Sequence, residues 1–387
     1  MKVILVPSSV DLVGVSVHVY NLAKLLSESG LLDVVLCPRD GWLPQKLADS
    51  RIPHVVIHLS HRSSNIVRAS LSLWQFFRSR KAADVVHIHG RFPLFISALS
   101  FMGSTRLAFV ATMHQFGESS LNGPLNWKLM LETFLLRRMK RICCVSQDLR
   151  NEVLSRVRKK PSEVEVIPNW IEPFWAEDEP ERVGLCQMRK SAGYTRICGI
   201  GYLSRVKGFD ILLKSIGILE KQGYAVKCDI FGDGPEKEHL ARLADGLRIR
   251  DSICFKEPSS DVRRLLPNYH ALVIPSRSES FSIVALEAYD ACVPVIASNV
   301  IGLRSTVLHA QTGLLFEPGN PKSLAAAMKT LINSETLANK FIANGTKYLQ
   351  GYLPNDGLKR KYMEFYGKAQ LNRGDGSLLV GNIPLSG

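Results

Sequence analysis

The stretch 273–298, VIPSRSESFSIVALEAYDACVPVIAS, reads as a complete strand–helix–strand unit. An apolar run ends at Pro275, a serine-rich turn follows, an apolar helix begins near Ser282, and a second apolar run spans 293–298. Neither run alternates with polar residues, which predicts strands covered on both faces, as in a parallel sheet crossed by helices. Glu279 stands in the turn, and Glu287 lies inside the helix between Leu286 and Ala288. A carboxylate buried in such a setting is costly unless it is hydrogen-bonded, so Glu287 is a candidate for function. The amides around Phe281, Ser282 and Ile283 open the helix, and a helix N-terminus presents unpaired donors suited to a phosphate.

Outward from this unit the same pattern fills the chain. Strand-like runs at 196–201, 226–231, 252–256 and 270–275 precede or enclose it, with a helix from about Lys207. An earlier series, at 2–7, 33–38, 54–59, 84–89, 107–112, 141–146 and 164–168, alternates with helix-like segments such as 15–29 and 66–81. The expected fold is α/β, with two doubly wound Rossmann-like domains facing a cleft and the C-terminal helices returning to the first domain. The expected boundaries are 1–171 for the first domain, 172–182 for a linker rich in Pro and acidic residues, and 183–350 for the second. A C-terminal helix at 351–370 and a loose tail at 371–387 follow.

The chain has 387 residues, 46% apolar and 22% charged, with Lys+Arg 49 against Asp+Glu 35, a net charge of +14. This excludes a disordered chain and gives each domain enough residues for its own core. Residues 1–170 carry 22 basic and 12 acidic residues, a net of +10, leaving 27 and 23, a net of +4, for the remainder. Such a surplus admits nucleic acid, a phosphorylated small molecule or an anionic membrane as partner. No aromatic stacking stripe or nucleic-acid-reading module accompanies it, so nucleic acid is set aside. The eight cysteines show no CxxC spacing and read as small core hydrophobes of a reducing compartment. MKVILVP reads as a first strand rather than a signal peptide, and the apolar stretch 93–102 is too short to span a membrane. A cytoplasmic protein is expected.

The motifs resemble those of the retaining GT-B glycosyltransferases of family 4. Glu279 and Glu287, separated by seven residues in a P-S…S-F…E-A context, match that family's paired glutamates. The resemblance implies that Glu279 meets the donor sugar near the reacting carbon and that Glu287 holds the nucleotide ribose. GYLSRVKGFDILL, 201–213, is similar to the family's diphosphate-binding stretch: Lys207 matches its lysine, Tyr202 replaces its arginine, and Arg205 on the same loop is a candidate replacement. FGDGPEKEHL, 231–240, and VIPNWI, 166–171, match segments read as architectural. Gly14 matches one glycine of the loop after strand one, where Val13 replaces the other, so this acceptor or phosphate loop offers fewer amides. His114, in VATMHQF, matches the family's cleft histidine. His89 is expected near the cleft and His87 inside the sheet; no third metal ligand is spaced with this pair. Ser146 reads first as a helix cap. In 298–320, Gly302 and TGLLFEPGN agree with the family, whereas Ile301, Arg304 and Ser305 depart from it.

The resemblance implies transfer of a sugar from a nucleotide-diphosphate sugar with retention of anomeric configuration. Catalysis falls to His114, Glu279 and Lys207, and donor binding to Arg205, Phe281, Ser282, Ile283 and Glu287. There is no D-x-D motif, so neither a metal nor another cofactor is expected. The acceptor is expected to be a carbohydrate or lipid-linked molecule of lipopolysaccharide or polysaccharide biosynthesis. Two segments mixing aromatic or aliphatic residues with cations, 72–81 and 125–142, suit peripheral binding to the anionic inner face of the plasma membrane. A packed helix with a solvated cationic end is the alternative for these. For the whole protein, the alternatives are a non-catalytic nucleotide-sugar-binding protein and a nucleotide-sugar epimerase or hydrolase on the same fold.

Overall fold

The computed structural model describes residues 1–57, 66–98, 106–115, 127–175, 194–259 and 262–371. Two parallel sheets organise them. The first holds β1 (Val3–Pro7), β2 (Leu32–Cys37), β3 (His54–Val56), β4 (Val85–His89), β5 (Ala108–Met113), β6 (Arg141–Cys144) and β7 (Val164–Val166), in the order β3-β2-β1-β4-β5-β6-β7. The second holds β8 (Thr195–Ile200), β9 (Val226–Phe231), β10 (Ile253–Lys256), β11 (Ala271–Ile274), β12 (Val295–Ser298) and β13 (Gly313–Phe316), in the order β10-β9-β8-β11-β12-β13. Strand pairing is parallel throughout, in line with the uniformly apolar runs.

Strand order reverses between β1 and β4 in one sheet and between β8 and β11 in the other. Ligands of open parallel sheets bind beyond the carboxyl ends at such switch points. Gly14 opens the helix after β1, His89 ends β4, Lys207 follows β8 and Glu279 follows β11. Chain topology therefore delivers residues of the predicted site to the two switch points.

The C-terminal helix, Asp356–Leu371, returns to the first domain as expected. Its Leu358, Tyr362, Phe365, Tyr366 and Ala369 share a core with Val3, Leu5 and Val85. Burying one ring such as Phe365 contributes about 1.5–3 kcal/mol, so this helix is a structural part of the first domain.

Three expectations change. β13 was not anticipated, because a four-residue run carries too little pattern to register as a strand. The linker is anchored at its start: the Phe174 amide donates to Asp290 Oδ2 at 2.9 Å, and the buried Trp175 indole donates to the Arg263 carbonyl at 3.1 Å. The rest of the linker and the tail beyond Leu371 lie outside the described residues. Cys254 is exposed rather than packed, on a short strand at the sheet edge; Cys37, Cys143, Cys144, Cys198 and Cys228 are buried as expected, and Cys186 lies outside the described residues.

Candidate active site

A cleft of about 870 Å³ separates the two domains, and residues of both line it. Gly14 and His114 form part of one wall; Lys207, Glu279, Phe281, Ser282, Ile283 and Glu287 form part of the other.

On the second-domain side, Lys207 Nζ donates to Glu279 Oε2 at 2.7 Å, and the Ser276 hydroxyl donates to the same oxygen at 3.2 Å. Two close backbone approaches make this geometry. A Cβ on Gly208, whose φ is +69°, would lie 2.0 Å from the Pro275 carbonyl oxygen, so glycine lets the lysine loop rest on the end of β11. Gly302 donates its amide to the Glu279 carbonyl at 3.0 Å, and a Cβ there would lie 2.2 Å from that oxygen. The helix Ile283–Asp290 follows, capped by Ser282, whose hydroxyl accepts from the Ala285 amide at 3.3 Å.

Glu287 lies 3.8 Å from Arg263 Nε. Burial nevertheless raises its carboxyl to about 7, with Arg263 opposing the shift and Asp290 adding to it. Sequence reasoning had no signal for Arg263, which approaches from a separate short helix.

Arg205 is exposed and does not line the cleft; its carbonyl accepts from Arg277 Nη1 at 2.8 Å. Tyr202 does line the cleft, 54% exposed. Ser305 is turned inward: its hydroxyl donates to the Gly302 carbonyl at 2.9 Å, and its own carbonyl accepts from the Tyr348 hydroxyl at 2.7 Å. Arg304 bonds Asn299 at 2.8 Å. Arg304 and Ser305, two of the departures from the family pattern, thus serve local structure.

On the first-domain side, the helix Gly14–Glu28 begins opposite Ile283, whose Cδ1 lies 3.8 Å from a Cβ built on Gly14. Two helix N-termini therefore face each other across the cleft. The Val13 amide is occupied by the Asp11 carbonyl at 2.8 Å. Arg91 lines the cleft, fixed at 2.9 Å by the buried Glu132; sequence reasoning missed this pair because its members lie on different helices.

Four histidines gather behind this wall. His87 is packed in the sheet as expected, its ring nitrogens 2.8 Å from the Tyr366 hydroxyl and 2.7 Å from the Thr112 hydroxyl. His89 is fully buried and does not itself line the cleft, contrary to expectation; its Nδ1 lies 3.3 Å from His114 Nε2. Burial, and then the neighbouring rings, hold His87, His89 and His114 well below the ordinary histidine range, so all are neutral at pH 7. His18, which the sequence reading passed over, sits edge-on to His114 at 4.8 Å between ring centroids. Burial pushes it down to about 4, opposed by the nearby Asn169 side chain, which falls outside hydrogen-bond geometry. Ser146 caps the helix Gln147–Val157, accepting from the Leu149 amide at 3.3 Å.

Two parallel-sheet domains, a shared cleft at both switch points and paired helix N-termini define a GT-B architecture. The family model described as "Glycosyltransferase Family 4" matches residues 13–173, and "Glycosyl transferases group 1" matches residues 187–348. The chain belongs to this glycosyltransferase family. An uncharacterized glycosyltransferase of Methanocaldococcus jannaschii is 27% identical over 278 residues, 68% of this chain and 70% of the relative. The lipopolysaccharide core biosynthesis glycosyltransferase LpsD of Rhizobium meliloti is 26% identical, over 60% of this chain and 65% of the relative. The crystal structure of Anabaena HepE in complex with UDP-glucose has the same fold: TM-score 0.82 at 19% identity, covering 95% of this chain and 99% of that one.

Proposed function

We propose that this protein transfers a sugar from a nucleotide-diphosphate sugar to a carbohydrate or lipid-linked acceptor, with retention of anomeric configuration and without a metal in the transfer step. The observation that carries this reading is the Lys207–Glu279 pair at 2.7 Å beside a helix N-terminus in an interdomain cleft. As the anomeric bond breaks, negative charge grows on the departing diphosphate. Lys207 and the amides opening helix Ile283–Asp290 meet that charge more strongly in the transition state than in the substrate. Glu279, released from the lysine, turns to the sugar; Glu287 accepts from the ribose hydroxyls. His114 faces the reacting sugar from the other wall. The complex of HepE with UDP-glucose supports a uridine nucleotide as the first donor to try.

The acceptor reading draws on the LpsD relative and on the first domain's surface. On helix Trp127–Arg138, Met130, Leu131 and Phe134 are 56%, 37% and 44% exposed, whereas Leu135, and Met139 just beyond the helix, are buried. Arg138 lies 4.8 Å above the Phe134 ring, and Arg78 lies 4.5 Å above Trp74 on helix Ile66–Ser79. We read these two mixed apolar and cationic helix surfaces as peripheral to the inner face of the plasma membrane.

The test is a panel of UDP-, GDP-, ADP- and dTDP-sugars, scored for saturable binding and for diphosphate release with and without chelator. Lys207→Ala is expected to lower turnover by on the order of 10²–10³, the cost of one charge-stabilising donor. Absence of binding to the whole panel refutes the enzyme reading, and loss of transfer on chelation refutes metal independence. Flotation with anionic and neutral liposomes, using Phe134→Ser and Met130→Ser, tests the membrane face; no dependence on anionic lipid refutes it.

A further inference from the structure

Three of the histidines offer more than a wall. His18 comes from the helix after β1, His89 from the end of β4 and His114 from the residue after β5, so only the folded chain brings them together. One ring nitrogen from each lies within 4.8 Å of the other two. The His89 Nδ1 to His114 Nε2 distance of 3.3 Å equals the edge of a nitrogen tetrahedron around an ion. That edge is about 3.3–3.4 Å for metal–nitrogen bonds of about 2.0–2.1 Å.

His18 is 1% exposed, and neither of its ring nitrogens has a hydrogen-bond partner. His89 Nδ1 and His114 Nε2 face each other in an imidazole–imidazole hydrogen bond that an ion would replace. Buried polar atoms without partners are costly, and the two orphaned nitrogens of His18, set beside two further imidazoles, call for a ligand there. Imidazole is the commonest metal ligand among side chains and binds through a ring nitrogen. A set of nitrogens without a carboxylate selects zinc-class ions and disfavours magnesium and calcium.

We propose that His18, His89 and His114 form a site for a zinc-class divalent ion on the acceptor side of the cleft, with its remaining position open to the cleft beside His114. An ion seated there ligates His114 Nε2 and holds that ring back from a bound sugar. Zinc, cobalt or nickel therefore inhibits transfer, and a chelator leaves the rate unchanged or raises it. The inhibition, though not the binding, rests on the reading of His114 as the residue that meets the sugar.

The experiment titrates Co²⁺ into the chelator-stripped full chain and follows the visible absorption of the metal. The expected result is one equivalent with tetrahedral bands, displaced by Zn²⁺ and not by Mg²⁺. His18→Phe, which keeps a ring against Trp170 at a centroid distance of 5.3 Å in the native structure, is expected to weaken binding by on the order of 100-fold. A spectrum that does not saturate, or one unchanged in His18→Phe, overturns the proposal. If His18→Phe does not fold, anomalous scattering from zinc-soaked crystals of the native protein decides: a peak among the three rings supports the site, and its absence overturns it. Zinc bound at the site with undiminished transfer upholds the site and overturns the inhibition, separating this proposal from the reading of His114.

Discussion

Replacing Gly302 by alanine tests how Glu279 is held. The added Cβ would lie 2.2 Å from the Glu279 carbonyl oxygen, 2.3 Å from the Ser280 carbonyl carbon and 2.4 Å from Ser280 Cα. All three are backbone atoms, so no side-chain rotation relieves the clash; the Glu279 turn and the segment Ile301–Arg304 must part. Restoring ordinary contact takes a displacement of about 1 Å, and misplacement of that size costs on the order of 100-fold in rate. Overpacking contributes about 1–3 kcal/mol of destabilisation. Parting the segments also strains the 3.0 Å bond from the Gly302 amide to Glu279, worth about 1 kcal/mol. Each kcal/mol lowers Tm by about 2–4 °C in a domain of this size. The assay pairs kcat/KM for diphosphate release with thermal melting, with Gly351→Ala as the control, since nothing lies within 4 Å of a Cβ there. A Gly302→Ala protein with native Tm and native kcat/KM refutes the argument that this close approach positions Glu279.

The Lys207–Glu279 pair predicts opposite effects on binding and turnover. Glu279→Gln removes the carboxylate that neutralises Lys207, so affinity for the best-binding nucleoside diphosphate alone rises by about three- to tenfold while sugar transfer falls; unchanged or weaker affinity by calorimetry refutes this. Glu287 predicts a pH effect on stability. Its carboxyl is raised from 4.5 to about 7, so between those values the folded chain holds a proton that the unfolded chain has released. The stability it contributes is complete below the lower value and is lost as pH rises through the upper one. Thermal melts from about pH 5 to 8 should show this decline in the native protein and a flatter curve in Glu287→Gln; equal slopes refute it.

The parallel sheets were legible because strands buried on both faces carry no polar alternation, as in VILVP of β1 and ALVI of β11. Glu279, Glu287 and Lys207 were legible because each sits in a short local motif beside a strand end. Arg205 shows where such reading stops. It shares a 3-10 turn with Lys207, and in a turn of about three residues per revolution positions two apart point to different sides. With Lys207 drawn to Glu279, Arg205 faces solvent. Proximity in sequence suggested two cations on the donor; the turn geometry brings only Lys207 of the two into the cleft.

His18 illustrates the converse. It stands four residues after Gly14 on the same helix, with no spacing that ties it to His89 or His114, yet the fold places the three rings together. What joins them is the switch point between β1 and β4, a property of strand order rather than of any local pattern. The same argument explains the division of labour across the cleft. The β8–β11 switch point presents Lys207, Glu279 and a helix N-terminus, the groups that the proposed departure of a diphosphate calls for. The β1–β4 switch point presents neutral imidazoles and the Arg91–Glu132 pair, a wall with little net charge of its own. The described lining of this wall therefore does not account for the surplus of +10 in residues 1–170, and Arg138 over the exposed Phe134 is one place where a cation of that domain meets an apolar side chain.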